Sequence, residues 1–338
     1  RAFERMNKYI NIKTFKIFLF LIFLITFIFL SYLNYSCNNI IYKNNASNIV
    51  TVKTGNTVSD TIFSLHEKGY IDSIFRFKVL AFLYDYNPVF LNGKYKIHLH
   101  DTEYSFLTKL VNGNLIQERI TIIEGSTYSE IKDILYKSNN IDSSEFDSKY
   151  ERTYISLKKV HSLEGLCFPD TYKFSSGITF EKFLETCQKK MEDILLSYWR
   201  KRDFSLPYKS PYEMLIMASI IEKETGNVLE KPLVASVFVN RLNKKMRLQA
   251  DPTVIYGMKN YKGNITKKDL KTKNEYNTYK IQGLPKTPIC SPGESSIKAA
   301  SKPAISDYLY FVANKKGKHI FSVDYKDHVN AVNKYQKK

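Results

Sequence analysis

The chain has 338 residues, enough for one or two domains with a hydrophobic core, and its 51 Lys and Arg against 33 Asp and Glu give a net charge of +18. That balance suits a membrane surface, an acidic polymer or nucleic acid; the lysines come with so many Asn, Ile, Tyr and Phe that an A/T-rich genome explains them equally well. Four cysteines (Cys37, Cys167, Cys187, Cys290) form no C-x-x-C pair and no metal-ligand spacing with the six histidines, which argues against a zinc site and leaves a Cys167–Cys187 disulfide and four free thiols both open.

The first element is an apolar run. Residues 17–33, "IFLFLIFLITFIFLSYL", carry no charge and reach the lower limit for a helix that spans a bilayer. Residues 1–16 hold Arg1, Arg5, Lys8, Lys13 and Lys16 against Glu4 alone, so the positive-inside rule keeps this end in the cytoplasm and exports the chain beyond Leu33. A cleaved signal peptide would need a shorter apolar core and small residues at its cleavage site; "SYLNYSCNN" supplies neither, and Leu33–Cys37 is no good lipobox. The reading is an uncleaved signal anchor in the inner membrane, with Met6 as a candidate start and "RAFER" upstream sequence.

Residues 34–49, rich in Asn, Ser and Tyr, read as a polar linker. After it comes an internal echo: "TVKTGNTVSDTI" (51–62) aligns with "TIIEGSTYSEIK" (121–132). Each copy predicts a short strand, a turn at its glycine and a helix, with Thr57 and Thr127 as N-caps and Asp60 and Glu130 at the capping-box position. A unit of this kind suits a small α+β module that binds glycan or peptide, or a spacer between membrane and catalytic domain.

Beyond residue 160 the texture changes. A helix is expected over 179–202, another from Ser210 to a stop at Gly226, and a strand pair in "DYLYFVANKKGKHIFSV" turning around Lys315–Lys318. The tail "NKYQKK" reads as a solvated helix end. Helices and strands mix without βαβ alternation, so the fold class is α+β.

"ASIIEKETG" (218–226) poses the chemical question, because two glutamates close an otherwise apolar run. At 100° per residue Glu222 shares a stripe with Leu215, Ala218 and Ser219, while Glu224 lies nearly opposite with Met217 and Ile220. Small residues beneath Glu222 leave room for a substrate. Apolar neighbours disfavour a charged carboxyl, and a carboxyl kept partly protonated can act as the acid in glycoside cleavage. Against that stands pairing of either glutamate with Arg241 or Arg247, or exposure at the helix end.

Five segments in order, "LEGLCFPDTY", "ASIIEKETG", "VASVFVNRLNKKMRLQADPTVIYGM", "YNTYKIQGLPKTPICSPGESSIKAA" and "YLYFVANKKGKHIF", resemble the motifs of the endolytic murein transglycosylases, the MltG or YceG-like family. The resemblance runs from about residue 50 and is strongest over 160–322. It implies a membrane-anchored lytic transglycosylase that cuts the β-1,4 bond between N-acetylmuramic acid and N-acetylglucosamine in nascent peptidoglycan and leaves 1,6-anhydromuramic ends. It implies a LysM-like module at 50–120 and a catalytic domain at 121–338. It carries the catalytic role to the first Glu of "EKE", Glu222; Glu164 and Glu224 are candidate helper carboxylates, and Glu224, facing away from Glu222, is expected to support structure through an ion pair or hydrogen bonds. Ser219, Asn240, Arg241, Gln249, Asp251, Tyr256, Asn277 and Tyr279 become groove candidates, each with a core or turn role as the alternative.

The implied partners are peptidoglycan glycan strands, the membrane through the N-terminal helix, and peptidoglycan synthases. No cofactor, metal or nucleic acid is called for. Cys167 and Cys290 depart from the small or apolar residues expected there, and Lys302 stands where relatives often carry His. The competing reading is a non-catalytic, membrane-tethered peptidoglycan-binding protein, against which the intact motif around Glu222 speaks.

Overall fold

The computed structural model describes residues 2–42, 48–53, 55–138, 141–142, 160–314 and 317–336. The chain divides into two compact units, Arg1–Glu118 with Phe174–Gly177, and Arg119–Lys173 with Ile178–Lys338. Both mix helices with short two-stranded sheets, an α+β organisation in which helices predominate.

The first unit opens with α1 (Ala2–Asn38), in which residues 15–30 are exposed and the stretch Lys13–Ser36 is long and apolar enough to cross a membrane. This is longer than the 17–33 run. Asn34–Asn38, read as linker from their polarity, continue the helix, and Asn38 Nδ2 donates to the carbonyl of Asn34 at 2.7 Å. Ser36 and Ile41 are buried and Leu33 packs on the unit's core, so this part of the expected linker is built into the module. Residues 43–47 of that linker lie outside the described residues.

After it come β1 (Ile49–Val52), α2 (Val58–Glu67), α3 (Ile74–Tyr84), β2 (Gly93–Lys96) and α4 (Glu103–Asn112). Antiparallel β1 and β2 turn alternate side chains inward, Val50 opposite Tyr95 and Val52 opposite Gly93. Gly93 has φ +136°, and a Cβ there would lie 2.5 Å from the carbonyl of Ser176, so the position demands glycine. Phe77, Leu80, Phe106 and Leu107 close the core from the helices.

β3 (Gln117–Thr121) pairs with β5 (Thr171–Ser175), and β4 (Ile141–Asp142) runs parallel to β6 (Ile178–Thr179). The internal echo folds as its sequence predicts. Thr57 caps α2 and Thr127 caps α5 (Tyr128–Lys137) through complete capping boxes, with Asp60 and Glu130 reaching back to the cap amides at 2.8 and 2.7 Å. Gly55 and Gly125 take positive φ just before.

The second unit continues with α6 (Phe180–Arg200), α7 (Pro211–Glu224), α8 (Lys231–Asn243), α9 (Asp251–Tyr256), α10 (Lys267–Lys271) and α11 (Glu294–Ser301). The antiparallel pair β7 (Tyr310–Ala313) and β8 (His319–Ser322) and then α12 (Tyr325–Tyr335) complete it. Within the expected turn, Lys315 and Lys316 lie outside the described residues. α7 is the core's axis: every residue from Met214 to Ile221 is buried, and α6, α8, α9 and α11 surround it. A helix apolar on all sides has to be enclosed this way. Cys167 is disulfide-bonded to Cys187, both buried, while Cys290 is a buried free thiol with its Sγ 3.4 Å from the carbonyl of Ser219.

Candidate active site

Local chemistry places the two glutamates of α7. Ser210 caps the helix by accepting from the amide of Glu213 at 3.2 Å, and Pro211 occupies the first position. The Glu213 carboxylate takes the amide of Lys209, the residue before the cap, at 2.7 Å. The helix ends at the extended Thr225. Gly226 comes next without a left-handed backbone, so the stop comes from Thr225 and not from glycine. Glu222 and Glu224 therefore leave one last turn about 200° apart.

Glu222 points to a set of donors. Its side chain is 7% exposed, and both oxygens lie 3.1 Å from Nζ of Lys231, itself 2% exposed at the start of α8. Oε2 also accepts from the amide of Gly293 at 2.9 Å and from Ser296 Oγ at 2.7 Å. Lys231 donates further to Ser295 Oγ at 2.9 Å. The apolar setting expected around Glu222 is thus replaced by an ammonium and two further donors. The small-residue stripe beneath it is packed at Ser219, which is fully buried, donates to the carbonyl of Ile216 at 2.7 Å and accepts from the amide of Ile289 at 3.0 Å.

Glu224 meets a different environment. It is half-buried, and its Oε2 is enclosed without a hydrogen-bond partner. It lines a cavity of about 400 Å³ shared with Arg241, Gln249, Asp251, Tyr279, His319 and His328, with Phe238 and Phe311 among the apolar walls. Burial pushes the Glu224 carboxyl up to about 8, the negative charge of Asp251 adds to the rise, and the positive charge of Arg241 opposes it. At neutral pH the group is mostly a protonated acid.

The wall residues are tied by hydrogen bonds. Arg241, 8% exposed, donates from Nε to the carbonyl of Leu309 and from Nη1 to that of Leu248, each at 2.6 Å, and lies 5.2 Å from the Tyr310 ring centroid. Tyr279 donates its hydroxyl to Asp251 Oδ1 at 2.6 Å. Gln249 holds φ +53°, a left-handed conformation that costs a non-glycine residue on the order of 1–3 kcal/mol and that collects at functional sites. His319 turns Nδ1 to Glu230 at 2.8 Å. His328 stacks on Tyr310, its Nδ1 is buried without a partner, and burial followed by the charge of Arg241 pushes the imidazole below its usual value.

Of the residues singled out in the sequence, Glu224, Arg241, Gln249, Asp251 and Tyr279 therefore meet at one cavity. The others have structural partners elsewhere. Asn240 donates to the carbonyls of Ser306 and Tyr308, and Asn277 ties the carbonyls of Asp269, Leu270 and Thr272. Glu164 is buried and accepts from Tyr256 Oη at 2.9 Å and from the amides of Tyr128 and Gly165, burial nonetheless raising it to about 7. A second cavity, about 480 Å³, is lined by His161, Ser210, Tyr212 and Glu213, and none of the sequence-predicted residues reaches it.

The sequence reading missed His319, His328 and the aromatic walls. His319 lies inside a quoted motif, whereas His328 belongs to none, and nothing local marks it. Among the described residues no group of three or more His, Cys, Asp or Glu could hold a metal ion.

An α+β protein with a raised carboxyl in a polar, cation-lined cavity belongs by its chemistry with proteins that move a proton on a polar ligand. The chain belongs to the YceG-like family, whose model matches residues 50–334. It is 35% identical over 241 residues to the endolytic murein transglycosylase of Bacillus subtilis (strain 168), covering 69% of this chain and 66% of that protein. It is 31% identical over 177 residues to the protein of the same name from Streptococcus pneumoniae serotype 2, covering 50% of this chain and 31% of that protein. The chain thus spans just under two thirds of the Bacillus relative and about a third of the streptococcal one. A putative YceG-like protein from Listeria monocytogenes matches at 31% identity with a TM-score of 0.54, over 84% of this chain and 98% of that one.

Proposed function

We propose that this chain is a membrane-anchored endolytic lytic transglycosylase acting on peptidoglycan, with Glu224 as its acid and then its base. The observation that carries the reading is the enclosed Glu224 carboxyl, raised to about 8 in a cavity that also presents Arg241, Asp251 and Tyr279. Glu222, the first Glu of "EKE" and the residue the resemblance points to, supports this role from behind: its contacts with Lys231, Gly293 and Ser296 fix the end of α7 and with it the direction of Glu224.

The reaction can run on one group. Protonated Glu224 gives its proton to the glycosidic oxygen as the bond from C1 of N-acetylmuramic acid breaks, which releases the N-acetylglucosamine hydroxyl. The muramic acid's own C6 hydroxyl attacks C1, and the Glu224 carboxylate takes its proton back. Water is not a reactant, so no second carboxylate is required as nucleophile or water-activating base. The intramolecular attack gains from proximity. Arg241 offers a fixed cation for lactyl or peptide carboxylates of the substrate. Glu164 keeps a supporting part, joining the start of α5 to the end of α9 through Tyr128 and Tyr256.

The apolar stretch of α1 and the basic residues before it support a single-pass anchor with the N-terminus cytoplasmic and the rest extracytoplasmic. The Cys167–Cys187 disulfide suits that oxidising side. The β1–α2–α3–β2 order with an antiparallel strand pair supports a small LysM-like glycan-binding module at 50–120. Work beside peptidoglycan synthases, terminating glycan elongation, completes the proposal.

The test is a digest of intact peptidoglycan by the full chain in detergent, read by mass spectrometry. Fragments ending in 1,6-anhydromuramic acid are expected. Reducing muramic ends would make the protein a hydrolase instead, and unchanged strands would leave the non-catalytic peptidoglycan binder as the better reading.

A further inference from the structure

The first unit carries an apolar face that its own core does not use. α3 buries Phe77, Leu80 and Ala81 on one side. On the other, Phe75 and Phe82 are 79% and 54% exposed, and Tyr86, two residues past the helix end, is 83% exposed. Leu83 adds 46% exposure beside them. A spacing of seven residues keeps Phe75 and Phe82 on one line of α3, and the Tyr86 ring, beyond the helix end, reaches back to Phe82 with centroids 5.4 Å apart. The charged residue on that line is Lys78, exposed between the two phenylalanines. Contiguous exposed aromatic surface of this kind marks a contact with a partner or a membrane.

The contacts between α1 and α3 decide which. Tyr32 of α1 donates its hydroxyl to the carbonyl of Arg76, in the first turn of α3. The Arg76 guanidinium lies 4.5 Å from the Tyr35 ring centroid and pairs through Nε with Glu103 of α4 at 3.2 Å. Leu33 packs on the core of the same unit. The end of the apolar stretch is thus clamped to α3. Lys13–Ser36 has 24 residues, about 36 Å of helix against a hydrocarbon thickness of about 30 Å. Tyr32 lies four residues, about 6 Å, before its end, at the boundary where tyrosines anchor spanning helices. α3 begins at that level.

We propose that the Phe75–Phe82 face of α3, extended by the Tyr86 ring just past the helix end, lies in the lipid interface beside α1 and docks the first unit onto the bilayer surface. The occupant is lipid because the face begins at the depth at which the adjoining span leaves the hydrocarbon. The aromatic rings enter the acyl boundary, and Lys78 extends its ammonium to the phosphates. Anchoring by a span alone would leave the unit free to tilt about one helix; a second contact fixes its orientation toward glycan near the membrane. The inference rests on the reading of α1 as a membrane span.

The test uses the full chain in nanodiscs of phosphatidylethanolamine and phosphatidylglycerol, with Trp199, the chain's one tryptophan, replaced by Phe. Single tryptophans are then placed as Phe75→Trp, Phe82→Trp or, as a control inside α1, Phe23→Trp. Lipids brominated near the headgroup end of the acyl chain are expected to remove most of the emission at positions 75 and 82. Bromine deep in the chain should act most on position 23. Quenching at 23 without quenching at 75 and 82 overturns the α3 face while the anchor stands, and leaves a protein partner to cover it. No quenching at 23 overturns the anchor and the α3 proposal together.

Discussion

Glu222 and Glu224 leave the same turn of α7, yet the elements that receive them differ in kind. α8, α11 and the residue capping α11 meet Glu222 with an ammonium, a hydroxyl and an amide, so that both its oxygens have partners. The cavity meets Glu224 with an opposing carboxylate, a cation already engaged by backbone carbonyls, and no hydrogen bond to Oε2. A protein keeps a buried carboxyl in the second state against its own stability, and such expense is characteristic of sites that do chemistry. The first state is what a structural carboxylate needs. Burial alone does not separate the two roles; the donors around each group do.

The contrast between the two glutamates can be broken most directly through activity. Glu224→Gln should reduce turnover by roughly 10³-fold, the usual weight of a positioned general acid and base, with the fold retained by circular dichroism. Turnover by the wild type should fall as pH rises through about 8, where Glu224 loses the proton it must donate; Asp251, Arg241, Tyr279 and the two histidines are the charged and titratable groups facing it. A flat profile over pH 7–9 would contradict the acid role.

The next effect concerns the other glutamate and is one of stability. Glu222→Ala leaves Lys231 buried and uncompensated, and should cost about 3–5 kcal/mol in denaturant unfolding. Replacing the pair together, as Glu222→Leu with Lys231→Met, should recover most of that loss. If the single variant proves neutral, the paired environment is not what holds the end of α7.

A third, of opposite sign, sharpens the contrast. Because the Glu224 carboxyl is raised in the folded protein, its stabilising contribution is complete below the unfolded value and is lost as pH rises through about 8. Glu224→Gln should therefore unfold at higher denaturant than wild type at pH 9, by on the order of 2–4 kcal/mol, with the gap closing near pH 5. The same substitution that removes activity should thus stabilise the fold. The smallest effect belongs to Tyr279→Phe, which removes the hydrogen bond to Asp251 and should cost about 1 kcal/mol in the same unfolding experiment.

Local signals in the sequence translate well into structure. The capping boxes of Thr57 and Thr127, the start of α7 at Ser210 and Pro211, and the all-round burial of α7 depend on residues within one or two turns of each other. Helical phase also separates the two glutamates correctly. What it could not supply is the identity of the neighbours, because Lys231, Gly293 and Ser296 come from 9 to 74 residues further on. The apolar run of α7 suggested an apolar setting for Glu222, and partners from distant elements reversed that expectation. Gln249, Asp251 and Tyr279 were legible through the motif resemblance. His328 was not, since a single histidine in a polar helix looks like any solvated one until Tyr310 and Arg241 pack around it. The continuation of α1 through Asn34–Asn38 was hidden for a related reason: polar composition suggested a linker, while Ser36 and Ile41 are drawn into a core that their immediate neighbours do not reveal.

The most direct measurement compares Glu224→Gln with Glu222→Gln on the same peptidoglycan, at pH 7, counting 1,6-anhydro ends per folded molecule by mass spectrometry. The account predicts no such ends above background for Glu224→Gln and continued release by Glu222→Gln, within about tenfold of wild type once its lower stability is allowed for. Release by Glu224→Gln together with silence from Glu222→Gln would contradict it and return the acid–base role to Glu222.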